Sequence, residues 1–234
     1  MLERVQKILS NAGYCSRRKA ETLIQEGKVD VNGVLIKIGD KADIEKDVIK
    51  VEGEKLNLRK KRIYIAFYKP VDYVVSMVPE PGKRSIYQIP SLTEIKERVY
   101  PVGRLDFDSE GLLLLTNDGD FANKVMHPRY ETEKTYVVRT KEPLLDNSIK
   151  HINQGVNVMG RKVQAKAKIL SREGHLVEIV LHEGRNHVVK RLFFKLGYLV
   201  RNLKRVGIGK IRIGQLKPGE WRYVDENEVK LMIK

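Results

Sequence analysis

Four consecutive leucines, Leu112 to Leu115, stand between Gly111 and the turn-forming stretch Thr116-Asn117-Asp118-Gly119. A short unbroken apolar run bounded by turn signals fits a strand buried on both faces, because successive side chains point to opposite sides of a sheet. Extended neighbours for it are legible on either side. Ile63, Ile65 and Phe67 alternate before a turn at Lys69-Pro70. Val74-Val75, Tyr100 to Val102, Tyr136 to Arg139, Val163 to Leu170 and Leu176 to Leu181 read as strands, and strands over Leu199 to Val206 and Arg222 to Val224 finish the chain. Helical patterns are fewer. Phe121 to Met126 is stopped by Pro128, and Leu144 to Asn153 places Leu145, Ile149 and Ile152 on one face with Gly155 beyond. Val189, Leu192, Phe193 and Leu196 mark a third helix that ends at Gly197. Strands outnumber helices and do not alternate with them, so the expected class is α+β with a mainly antiparallel or mixed sheet, not a doubly wound fold.

The first sixty residues follow another pattern. Val5, Ile8, Leu9 and Ala12 form one helical face, which Gly13 ends; Ser16 caps a second helix that buries Ala20, Leu23 and Ile24 and closes at Gly27. Val29 and Val31 lead through the Asn32-Gly33 hairpin turn to Val34–Ile36, and Ile44, Val48, Ile49 and Val51 supply further strand pieces. The expected organisation is a small α/β module, residues 1–60, then a basic linker over 57–62 and a larger domain, residues 61–234. Arg17, Arg18 and Lys19 lie in the first turn of the second helix, where cations oppose the helix dipole. A phosphate partner gives them a reason to be there; a solvated face is the alternative.

Charge narrows the partner. Lys and Arg number 45 against 30 Asp and Glu, a formal net charge of +15. Residues 181–222 hold eleven Lys/Arg and two acids, so +9 of that charge falls in 42 residues. A stripe this one-sided suits a polyanion, nucleic acid above all. Cys15 is the only cysteine, which excludes a disulfide scaffold and a cysteine-rich zinc site. The longest apolar run, Ile63 to Tyr68, is far short of the ~20 residues of a membrane span. With no signal-type stretch at Glu3, Arg4 and Gln6, the expectation is a cytoplasmic protein with no membrane partner.

The segment Gly103-Arg104-Leu105-Asp106-Phe107-Asp108-Ser109-Glu110-Gly111 precedes the leucine strand. A calcium loop fails there, because the twelfth position is Asn117 and a strand follows. A serine-hydrolase elbow fails at Phe107, and a phosphate loop at Gly209-Lys210 fails at Ile211. His182 and His187 are five apart, which does not suit a helical zinc pair. What remains is carboxylate chemistry, or a loop whose aspartates only make turn hydrogen bonds. Two more constellations are Lys134-Thr135-Tyr136, a cation beside an aromatic that can stack a base, and His182 to Arg191 leading into the third helix.

Together these segments resemble the RsuA/RluB-type pseudouridine synthases of ribosomal RNA. The matching stretches are GRLDFDSEGLLLLTNDGDFANKVMHP at 103–128, EKTY at 133–136 and EGRNHVVKRLF at 183–193, with weaker matches at YKP, 68–70, and the closing LKPGEWRYV. Residues 4–33, RVQKILSNAGYCSRRKAETLIQEGKVDVNG, resemble an S4 RNA-binding domain. The resemblance implies isomerisation of a uridine in RNA with no metal and no cofactor, on a base flipped from its stack. It implies Asp106 as the catalytic aspartate, Tyr136 as the tyrosine that stacks on the uracil, and Lys190 as the cation paired with the aspartate. Arg104 would brace the space the base vacates; Leu105, Val189, Leu192 and Arg185 would line the substrate site. Candidate RNA contacts are Arg17, Arg18, Lys19 and Lys28 in the module and Arg191, Lys204 and Arg205 beyond it. The implied partner is ribosomal RNA, free or in an assembling subunit, bound by a monomer. Val188 and Lys190 depart from the family's common Gln and frequent Arg; lysine keeps the charge but lacks the bidentate fork.

Overall fold

The computed structural model describes residues 1–57, 61–77, 81–185 and 187–233. The chain separates into two compact units, Met1–Arg62 and Ile63–Lys234. The centre of the expected linker, residues 58–60, and Asn186 of the third motif lie outside the described residues.

The first unit contains β1 (Leu2–Arg4), α1 (Val5–Asn11), α2 (Arg17–Gln25), β2 (Val29–Val31), β3 (Val34–Leu35), β4 (Lys41–Asp43), β5 (Ile49–Val51) and β6 (Glu54–Lys55). Val5, Ile8 and Leu9 of α1 meet Ala20, Leu23 and Ile24 of α2 over Val29, Ile49 and Val51 of the sheet. Ser16 caps α2 by accepting the Lys19 N–H at 3.2 Å. Asn32 and Gly33 have φ of 54° and 82°, the two left-handed residues a tight hairpin of this twist requires. Ile44 and Val48 are exposed and outside the strands. The Asp43 N–H bonds the Asp47 carboxylate at 2.7 Å and the Val48 N–H bonds the Asn32 side chain at 2.9 Å, closing a turn that carries both side chains outward.

The second unit runs β7 (Tyr64–Lys69), β8 (Tyr73–Val74), β9 (Arg84–Ser85), α3 (Pro90–Thr93), β10 (Tyr100–Val102), β11 (Glu110–Thr116), α4 (Gly119–Met126) and β12 (Lys134–Thr140). It continues with α5 (Asp146–Gln154), β13 (Val156–Val158), β14 (Arg161–Val163), β15 (Ala165–Ile169), β16 (Leu176–Leu181), α6 (Val188–Lys195), β17 (Val200–Ile208), β18 (Ile211–Arg212), β19 (Trp221–Tyr223) and α7 (Glu226–Ile233). The main sheet has the order β15-β16-β12-β17-β11-β7-β19. Its pairings are antiparallel except β11 with β17, so it is mixed and mainly antiparallel, as expected.

The leucine run accounts for this layering. Leu112 and Leu114 pack with Phe121 and Val125 of α4 on one face, while Leu113 and Leu115 pack with Phe67 and Ile86 on the other. A third core lies under α5 and α6 on the β12–β16 half of the sheet. Two local readings are corrected. Leu145 is exposed because α5 begins at Asp146; Leu144 and Ile152 are the buried anchors. The chain does not finish on a strand, since α7 follows. Between Glu226 and Met232 of α7 Val229 alone is buried, so its periodicity is faint, and the helix is fixed instead by the Arg222–Glu228 pair at 2.8 Å and by Asp225 accepting the Asn227 N–H. Among the described residues no helix is long and apolar enough to cross a membrane.

Candidate active site

Three adjacent strands set the site's register. Gly111 of β11 lies opposite Arg205 of β17, and Arg205 lies opposite Tyr136 of β12. Between Thr135 and Tyr136 the register skips Val206, an extra residue that bulges β17 there, the kind of local kink that re-aims a side chain. Gly111 has φ of 108°, and a Cβ there would lie 2.2 Å from the Arg205 carbonyl oxygen, so only glycine lets β11 close on β17.

The loop that enters β11 is held from below. Lys69, the last residue of β7, is fully buried; its Nζ donates to the Pro70 and Ser109 carbonyls at 2.8 Å each and to the Phe107 carbonyl at 3.5 Å. Burial pushes its amine down to about 8, against the opposing pull of Asp106 and Asp108. The Ser109 N–H closes on the Asp106 carbonyl at 3.1 Å, and the Asp72 N–H on the Phe107 carbonyl at 2.9 Å.

Above that loop the Asp106 carboxylate is 28% exposed and faces two basic side chains. Lys190 Nζ lies 3.7 Å from its Oδ2 and His187 Nε2 lies 3.5 Å from its Oδ1. Lys190 also hydrogen-bonds Asp108 directly, so one ammonium spans both carboxylates. Desolvation is the largest influence on Asp108 and acts upward, but the Lys190 hydrogen bond and charge outweigh it and hold that carboxyl below its ordinary range. His187 precedes α6 with φ of 55°, a left-handed conformation uncommon for any residue but glycine. It is the residue the sequence reading set aside; its backbone geometry and its place three residues before Lys190 bring it to Asp106.

A cavity of about 400 Å³ adjoins this group, in the size range of small-ligand sites. Asp106, Arg104 and Leu105 line it together with Tyr136, Val189 and Arg185. Lys134 lines it too, and burial, helped by the Arg205 charge, pushes its amine down to about 8. Two buried polar atoms of lining residues, Ser109 Oγ and Arg205 Nη2, have no protein partner among the described residues.

Several expected contacts fall elsewhere. Leu192 does not line the cavity, because it faces the core under α6. Arg205 is only 3% exposed: its Nε donates to the Leu112 carbonyl at 2.7 Å and its Nη1 to the Arg104 carbonyl at 3.3 Å, so it braces the loop and strand from the cavity wall and is withdrawn from the outer surface. Lys28 sits between Glu26 at 2.9 Å and Glu52 at 3.3 Å, which neutralise it locally. Lys204 stacks its ammonium 4.6 Å over the Tyr68 ring. Arg185 pairs with Glu183. Arg17, Arg18 and Lys19 are exposed and make no ion pair among the described residues.

Comparison with known proteins bears on the same regions. The sequence model of the family described as RNA pseudouridylate synthase matches residues 63–195, over half the chain, and that of the S4 domain matches residues 3–49. An uncharacterized RNA pseudouridine synthase of Aquifex aeolicus is 41% identical over 236 residues, covering 99% of this chain and 94% of the relative. Ribosomal large subunit pseudouridine synthase B of Bacillus subtilis is 40% identical over 235 residues, covering 98% of this chain and 95% of the relative. A pseudouridylate synthase crystal structure superposes with a TM-score of 0.69 at 30% identity, covering 98% of this chain and 99% of that one. End-to-end similarity at this level, together with the family match, makes the chain a member of the RNA pseudouridylate synthase family, an RNA pseudouridine synthase with an N-terminal S4 domain.

Proposed function

We propose that this enzyme isomerises a uridine of ribosomal RNA to pseudouridine without a cofactor, acting as a monomer, with Asp106 as its catalytic carboxylate. The observation that carries the reading is a half-buried aspartate held between Lys190 and His187 at the edge of a cavity that Tyr136 also lines. The name of the Bacillus subtilis relative favours large-subunit RNA as the first substrate to test.

In the isomerisation the C1′–N1 bond breaks, the uracil turns, and a C1′–C5 bond forms. The C5 hydrogen leaves to solvent and N1 gains a proton, so composition is unchanged. Asp106 acts at the ribose, as a nucleophile or as the acid–base group of a glycal route. Lys190 and His187 orient its two oxygens. Tyr136 stacks on the uracil and serves the proton transfer at C5. The uridine reaches the cavity only after leaving its stack, and Arg104, exposed at the rim, braces the gap. Arg17, Arg18 and Lys19 of the S4 domain hold phosphates of the same RNA.

Ribosomal RNA transcripts of both subunits, tritiated at uridine C5, test this directly. Incubation with the protein alone is expected to release tritium to water and leave one new pseudouridine at a single position. Release from neither transcript sinks the proposal.

Lys190→Ala is expected to slow the single-turnover rate at saturating RNA by roughly 10- to 100-fold, because a preorganised charge beside the reacting carboxylate is lost. The log–log dependence of binding on salt stays as in the wild type. If the rate held and the slope flattened by about 0.7, Lys190 would be a phosphate contact instead.

A further inference from the structure

The far end of α6 carries a surface that the isomerisation does not use. Phe194 is 72% exposed there. The hairpin of β13 and β14 packs against α6, and its tip residue Met159, with φ of 52°, is 71% exposed. Arg191 reaches across to the Met159 sulfur. Asn157, Met159 and Gly160 of the hairpin and Arg191, Phe194 and Lys195 of the helix form one open groove.

A lone exposed phenylalanine needs no explanation, but this one is framed by charge of a single sign. Residues 156–163 and 188–195 contain Arg161, Lys162, Lys190, Arg191 and Lys195 and no acid. Apart from Lys190, none of these cations makes an ion pair with an acid among the described residues. A polyanion with flat apolar faces complements such a groove, and single-stranded RNA has both properties.

We propose that Phe194 is a stacking platform for an unpaired RNA base, with Arg191 and Lys195 holding the phosphates beside it; this rests on the reading of RNA as the substrate. Lys190 and Phe194 are four residues apart and share one face of α6, so just over one turn, ~6 Å along the axis, separates them. The stacked base therefore belongs to the nucleotides that flank the target uridine. Those bases lose a stacking neighbour when the uridine flips out, and the ring replaces it. An aromatic ring reads the π face and not the base edge, so the platform accepts any base.

Fluorescence anisotropy of the full-length protein with a labelled short oligouridine tests the platform. Phe194→Ala is expected to weaken binding by about 5- to 100-fold with an unchanged salt slope, since stacking and not charge is removed. Phe194→Leu keeps apolar bulk without a π face and is expected to be as weak. Phe194→Trp is expected to bind like the wild type, with indole emission quenched as RNA is added. Arg191→Ala is expected to flatten the slope by up to about 0.7. Circular dichroism checks that each variant is folded, which the exposure of Phe194 favours.

Wild-type affinity in Phe194→Ala or Phe194→Leu overturns the platform, as does an affinity loss that comes with a flattened slope. The assay reads binding without chemistry. A protein that binds oligouridine through Phe194 but releases no tritium from ribosomal RNA refutes the proposed reaction and leaves the platform standing.

Discussion

Asp106→Asn is expected to lower single-turnover isomerisation by at least about 10³-fold while RNA affinity stays within about twofold of the wild type. Asparagine has the same shape but neither attacks at carbon nor accepts a proton as a carboxylate does. The fold should tolerate the change. Lys190 keeps its bond to Asp108, and the loop remains tied through main-chain carbonyls to the buried Lys69 ammonium. The loss should therefore fall on the chemical step alone, because phosphate contacts made by cations do not depend on the Asp106 carboxylate. Tritium release and anisotropy, measured at one salt concentration, separate the two quantities. Turnover near that of the wild type would remove Asp106 from the chemistry. A parallel fall in affinity would mean that the carboxylate supports the RNA-binding surface instead.

Gly111→Ala is expected to produce the largest loss of stability of any single methyl addition near the site. The new Cβ would lie 2.2 Å from the Arg205 carbonyl oxygen and 2.7 Å from its nitrogen, both backbone atoms of a paired central strand. Neither strand can yield without opening the β11–β17 pairing. The left-handed φ of 108° adds conformational strain. Together these amount to roughly 2–5 kcal/mol, or about 10 °C in the thermal transition of the larger unit. Gly103→Ala is the control. It has φ of 79° but nothing within 4 Å of the added methyl, so it should cost only about 1–2 kcal/mol. Equal thermal shifts for the two variants would show that the clash is relieved and that only backbone strain matters.

Arg205 and Lys28 show where reading the chain as a string of charges fails. Both count toward the net charge of +15, yet one is buried beneath the Asp106 loop and the other is bridged by two glutamates. A charge count has no direction; pairing depends on which residues the fold brings within a few ångströms. His187 shows the converse. As one of two histidines five apart it carried no signal, and it reaches Asp106 because it takes a left-handed turn into α6.

Local pattern was sufficient for the rest. The leucine run, the alternation around it, the Ser16 cap and the Asn32-Gly33 turn determine the two-faced central strand, the α+β class and the form of the N-terminal helices and hairpin, because each depends on residues a few positions apart. The long motif around Asp106 likewise determines the family. Tertiary structure alone decided that Lys190 spans two carboxylates, that Lys69 is the buried post under the loop, and that Gly111, Arg205 and Tyr136 line up across three strands. Those contacts join residues about 40 to 95 positions apart, and their geometry is set by strand register, which no local periodicity encodes.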